Sequence, residues 1–249
     1  MESSNPTLNN KVFDNARAMV GSGQTMTIQG AVNKTLVLLL VLCVTAFWTW
    51  SKAFDPASAP MAGIAVIGGA IGGLILALIT SFKPQWSQVT APLYAAFEGL
   101  VLGVLSAYFE RVYPGIVMQA VGLTFAVTLA MLMGYKAGFL QATPGLRKGL
   151  MIAMGGLMIF YAVVWIAMLF HVAPPAFING SSPLGIAFSL FVVGLASMCL
   201  ILDFDLIEQG AQQGLQKYME WYCAFSLMVT LVWLYLEILR LLSKLRSRD

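Results

Sequence analysis

Charge is the scarcest commodity in this chain. Its 249 residues include 14 Lys and Arg and 11 Asp and Glu, 10% in all, against 59% hydrophobic residues. A soluble domain carries roughly 25% charged residues, so the composition excludes an ordinary water-soluble fold. There is one histidine, His171, beside Pro174 and Pro175. A single imidazole excludes a multi-histidine metal centre and would have to serve a Ser/His hydrolase alone. The three cysteines, Cys43, Cys199 and Cys223, form no CxxC pair, and an odd number cannot all pair internally; they read as reduced thiols. No GxxxxGK[ST] loop is present, which excludes ATP as the driving force. The last apolar stretch has no lysine before Lys244 at its end, which excludes a retinal Schiff base. No basic stripe interleaves with aromatics, so nucleic acid is excluded as a partner, and nothing marks an enzyme or a resident cofactor. The polar first thirty-odd residues lack the order of basic stretch, short apolar core and small-residue cleavage site. A removable signal peptide is therefore not expected, and the first span is read as an uncleaved signal-anchor.

What remains is apolar sequence in long runs. Mean hydropathy is +0.82, and a helix needs about 20 apolar residues to cross a bilayer. Seven spans fit, at about 35–54, 61–81, 88–109, 114–136, 148–171, 184–207 and 221–243. The fold class is all-α, a polytopic membrane protein with lipid as its solvent. Residues 1–34 form a polar N-terminal tail, 35–245 a seven-helix transmembrane domain, and 246–249 a basic C-terminal tail. No internal repeat is evident.

Loop charge suggests an orientation, because Lys and Arg accumulate on the cytoplasmic side. Lys11, Arg17 and Lys34 precede span 1, Lys83 follows span 2, Lys136, Arg147 and Lys148 lie between spans 4 and 5, and Lys217 between spans 6 and 7. The opposite side has Lys52, Arg111 and nothing basic between spans 5 and 6. The N-terminus is thus expected in the cytoplasm, in a bacterial inner membrane. Seven crossings then place the C-terminus outside, although Arg240, Lys244, Arg246 and Arg248 pull it inward. The alternative is a re-entrant late segment.

Small residues indicate the packing. Span 2 contains Gly68-Gly69-Ala70-Ile71-Gly72-Gly73, two overlapping GxxxG patterns, and span 3 has Gly99 and Gly103 at the same spacing. In lipid such residues let backbones approach closely, where apolar burial supplies no drive. The methionines Met131, Met133, Met151, Met154 and Met158 read as pliable packing.

Acids inside apolar runs are the remaining signal. Glu98 lies in mid-span 3, Asp203 and Asp205 toward the inner end of span 6, and Glu237 in span 7. An ionised Asp at the bilayer centre costs on the order of 2.5–3.5 kcal/mol by insertion scales, so such groups are paired, wet or useful. Positions 203 and 205 are about 200° apart on a helical wheel, so only one can face a given core line. The plain alternatives are an Arg240 counter-charge for Glu237 at i+3 and an interfacial turn ahead of Gly210 for the Asp pair. Span 7 is expected at the centre of the bundle, because Glu237 on a lipid-facing surface would be costly.

The run Phe204-Asp205-Leu206, followed by Leu234-Tyr235-Leu236-Glu237-Ile238, resembles the last two helices of the Bax-inhibitor-like family, in its bacterial type. Phe97-Glu98-Gly99-Leu100-Val101-Leu102-Gly103 is similar to that family's Glu-Gly-Leu helix. The resemblance covers most of residues 35–245. It implies a carboxylate pair between helices 6 and 7, here Asp205 and Glu237, that gates a pH-dependent calcium leak. Asp203, Glu98 and Arg240 would be supporting residues. The chain departs from the family pattern in four ways. The second acid is Glu, Asp203 is a third acid, Arg240 adds a counter-charge, and the connection from Ile207 to Met219 reads as long.

The expected mechanism follows from elementary electrostatics. Two ionised carboxylates in a low-dielectric site repel, so they share a proton and titrate as a unit. The shared proton ties helix 6 to helix 7 and closes the path; its loss opens a cation site. Calcium needs several oxygen ligands, so Asp205 and Glu237 would bind it transiently, with carbonyls and water completing the shell. The partners would then be the lipid bilayer, protons and calcium. The rival reading is a non-transporting membrane regulator that binds another membrane protein such as a protease, with the acids setting helix register only.

Overall fold

The computed structural model describes residues 25–55, 58–171 and 173–248; residues 1–24 of the tail, with Lys11 and Arg17, lie outside the described residues. Seven long helices follow one another: α1 (Ile28–Phe54), α2 (Ala59–Phe82), α3 (Ser87–Val112), α4 (Ile116–Lys136), α5 (Pro144–Leu169), α6 (Pro183–Gln212) and α7 (Met219–Arg246). The shortest, α4, has 21 residues, which at 1.5 Å each is about 31 Å, enough for a hydrocarbon core of about 30 Å. All seven are apolar and long enough to cross, so the chain is an integral membrane protein. Both late helices, α6 and α7, are long and apolar enough to cross.

Local chemistry explains the helix ends. Thr27 caps α1, its hydroxyl accepting from the Gly30 N–H at 2.9 Å, and Thr143 caps α5 with Pro144 at the first position. The cap at Thr27 starts α1 seven residues earlier than hydropathy suggested, with Lys34 inside the helix. Helix α6 likewise runs on to Gln212, shortening the connection to α7 to residues 213–218. Leu206, Ile207 and Gly210 continue its buried face, and Gln209 and Gln212 donate back to Asp205 and Glu208 at i−4, a spacing that supports a helix. The helix then stops at Gly214, whose φ of 64° only glycine adopts freely. The N–H groups of Gly214 and Leu215 return to the Ala211 and Gly210 carbonyls, a Schellman stop. The long connection read from the sequence is therefore mostly helix.

Several hydroxyls within the spans are satisfied within their own helix. Thr35, Thr80, Thr124 and Ser197 each donate to the carbonyl four residues back, which keeps polar groups out of lipid.

The chain divides into two compact units. The first contains α1–α3 with Asp203–Val229, the end of α6 and the start of α7. Its seams are built on glycine. A Cβ at Gly99 would overlap Thr45 Oγ1 and the Leu42 carbonyl, and one at Gly103 would overlap Thr49 Oγ1 and the Ala46 carbonyl, all on α1. Gly69 and Gly72 of α2 lie close to α3, with the Phe97 carbonyl 2.9 Å and the Phe97 ring 2.7 Å from their would-be Cβ atoms. Gly68 faces open space and Gly73 meets its nearest atom at 3.6 Å, so Gly69 and Gly72 carry the contact. The second unit contains Gly115–Leu202 with the remainder of α7 from Thr230. There Leu150 and Leu157 of α5 pack with Val192 and Leu195 of α6, and Trp233 of α7 joins them. Half of the apolar stretch of α7 is buried, against 17–22% in α1, α2, α4 and α5, so the last helix is the most enclosed span.

Candidate functional site

The acids named from the sequence occupy different surroundings. In the first unit, Asp203 is 3% exposed, and its Oδ1 accepts from Ser226 Oγ of α7 at 2.7 Å. One helical step further, Asp205 is half-buried, and its Oδ2 accepts from Gln209 Nε2 at 2.8 Å on its own helix. The wheel separation of the two is thus realised, and Asp203 is the one turned inward. Glu98 of α3 is half-buried. Tyr94, one turn before it, donates its hydroxyl to the carboxylate, and Gly73 of α2 leaves room, its would-be Cβ lying 3.6 Å from Glu98 Oε2. The Tyr94 ring also meets Phe225 of α7 edge-on, with centroids 5.1 Å apart.

In the second unit, Glu237 is 4% exposed, and its Oε1 accepts from Arg240 Nη1 at 2.8 Å. Arg240 also donates to the Tyr161 hydroxyl. One turn on, the buried Lys244 donates to the carbonyls of Phe177 and Gly185 at 3.3 and 3.1 Å. Two of the four basic residues that pull the C-terminus inward are therefore engaged within the fold. Within their own units, then, Asp205 is held by Gln209 and Glu237 by Arg240.

One acidic centre escaped the sequence reading altogether. Glu220, in the first turn of α7, is fully buried. Its Oε1 accepts from the Thr27 N–H at 2.9 Å and the Thr27 hydroxyl at 3.1 Å, and from Lys217 at 2.8 Å; its Oε2 is paired with Lys34. Lys34 also lies 5.5 Å from the centre of the Trp221 ring. Gly30 is required here, because a Cβ on it would collide with the Glu220 carboxylate. A carboxylate in the first turn gains from the helix dipole as well. Thr25 bridges Gln216, the Met26 N–H donates to the Leu215 carbonyl at 2.7 Å, and Ser87 donates to the Tyr218 carbonyl. Burial pushes the Tyr218 phenol above its usual range. Nothing in the sequence set Glu220 apart, since an acid at a helix start is commonplace, while Lys34 and Lys217 read as loop charges. The recoverable signal was Thr27, Gly30 and Lys34, at spacings that share one face of α1.

Among the described residues, no group of three or more His, Cys, Asp and Glu side chains could hold a metal ion. The family model described as Bax inhibitor 1 like matches residues 5–247. No curated protein matches the chain.

Proposed function

The chain belongs to the Bax inhibitor 1 like family, and from that premise we propose that it is a pH-sensitive cation leak pathway. The observation that carries this reading is that the last two helices both retain carboxylates in apolar runs, Glu237 buried at 4% exposure and Asp205 half-buried beside the buried Asp203. Apolar spans retain such groups at a cost of several kcal/mol, which function repays. Asp205 and Glu237 are the titrating pair, and Asp203, held by Ser226, braces the inner face of α6. Arg240 tempers the charge of Glu237, and Glu98 is a further acid in the path. Calcium passes downhill with transient binding at Asp205 and Glu237, without a resident cofactor and without catalysis. The protein lies in a bacterial inner membrane with its N-terminus in the cytoplasm.

The proton closes the path in this reading, so flux is low at acidic pH and rises as pH rises. Calcium-indicator flux in proteoliposomes tests it. Asp205→Asn and Glu237→Gln are each expected to flatten the pH profile, and the double variant should add little, because both act through one interaction. An unaltered pH profile in both single variants discards the gate. A wild type that carries no calcium at any pH while binding another membrane protein tightly would establish the regulator reading instead. Orientation has its own check. A cysteine in place of Arg147 should react with an impermeant maleimide only from the cytoplasmic face, and reaction only from outside inverts the topology.

A further inference from the structure

We propose that residues Thr25–Thr27 form a strap that locks the start of α7, with Glu220 as its clasp, and that the strap parts from α7 while the helices around it stay folded. The contacts made by the strap fall on the end of α6, the α6–α7 turn and the first turns of α1 and α7. Thr25 bridges Gln216, Met26 donates to Leu215, and Thr27 donates twice to Glu220. The Met26 side chain is buried against Gly210, where a Cβ would come within 2.7 Å of its sulfur.

The donors to Glu220 are of two kinds, and that division makes the strap separable. Thr27 supplies two of them, while Lys34 on α1 and Lys217 in the turn supply the others. When the strap leaves, the carboxylate keeps both ammonium partners. Opening therefore costs the two Thr27 bonds to Glu220, the Thr25–Gln216 bridge with its Met26–Leu215 bond, and the burial of one methionine, and avoids the large penalty of a buried unpaired charge. These contacts are a few polar bonds and one side chain at helix ends, whereas the glycine seams of α1–α3 are backbone against backbone. Segments held in this way open at a small fraction of the global unfolding free energy.

The structure contains its own reporter. Cys223 is fully buried and follows Glu220 by three residues, on the same face of α7. It is the thiol nearest the clasp along the chain, and its reaction with a thiol reagent is the readout of parting. Resting on the proposed leak function, the strap would also set the position of the helix that carries Glu237.

The test uses the full chain in liposomes with Cys43→Ser and Cys199→Ala, and reads the N-ethylmaleimide reaction of Cys223 by the mass of its peptide. Glu220→Gln keeps the shape of the clasp and removes its charge. It is expected to speed labelling at least about tenfold, the factor set by weakening one charged hydrogen bond. Adding Thr25→Cys and Gln216→Cys, oxidised to a disulfide across the antiparallel bridge, where paired Cα atoms lie about 4.5–5.5 Å apart, should restore the slow rate. Labelling of Glu220→Gln at the wild-type rate overturns the lock. So does fast labelling that the disulfide fails to slow, because the loss of Glu220 would then have loosened α7 itself. A wild type without calcium flux leaves the labelling result standing and removes only the link to the gate.

Discussion

Valine at Gly103 is expected to destabilise the protein by about 3 kcal/mol or more, at the upper end of overpacking costs, and to lower Tm by roughly 6–12 °C for a chain of this size. The reason is the nature of the obstruction. A side chain there would overlap the Ala46 carbonyl as well as Thr49 Oγ1. A hydroxyl can rotate away, but a carbonyl in mid-helix cannot move without displacing α1. Gly99, against the Leu42 carbonyl and Thr45, should behave in the same way. Gly68→Val is the control. No atom lies within 4 Å of its would-be Cβ, so its effect should stay within about 0.5 kcal/mol. Thermal unfolding in detergent, followed by tryptophan fluorescence, compares the variants. Equal Tm for Gly103→Val and wild type would mean that α1 and α3 are not seated as described.

The second large effect falls on Asp203. Ser226→Ala removes the hydroxyl donor from a carboxylate that is almost wholly buried, at an expected cost of about 1.5–3 kcal/mol for a hydrogen bond to a charged group. Asp203→Asn should cost a comparable amount, and the double variant less than the sum, since the two residues share one contact. Asp205→Asn should cost less than Asp203→Asn, because its Gln209 partner sits on the same half-buried helix face. Chemical denaturation of the four single and double variants separates these cases. A greater loss at Asp205 than at Asp203 would reverse the assignment of the inner face of α6.

The readability of this fold from its sequence divides along physical lines. Seven apolar runs suffice to count the helices, because a bilayer demands length and hydropathy of each span separately. The glycines of α2 and α3 could be read as close-packing positions for the same reason, since in lipid only small residues permit that approach. Their partner could not. That Gly99 and Gly103 meet Thr45 and Thr49 of α1 is a matter of tertiary arrangement. The helical wheel placed Asp203 and Asp205 on opposite faces, but the inward one is decided by Ser226, 23 residues away. Two helices also run past the apolar spans read from hydropathy. At Thr27 and at Gly214 the boundary is set by capping and a left-handed glycine, and polar residues such as Lys34 and Gln209 lie inside the helix when a partner stands ready.

The charge count of the C-terminal tail illustrates the same limit. Counting treats Arg240 and Lys244 as members of a basic tail. In the fold the first is paired with Glu237, and the second is seated in loop carbonyls.

The α1–α3 seam has a consequence for handling the protein. At Gly99 and Gly103 its contacts are made by main-chain atoms and threonine hydroxyls that already bond within α1, an arrangement that suits weak Cα–H···O contacts. None of that attraction depends on apolar surface escaping from water. Replacing phospholipid by a detergent belt therefore takes little from the seam, and α1 and α3 should leave the membrane as one stiff bar, the part of the molecule against which movement elsewhere can be measured.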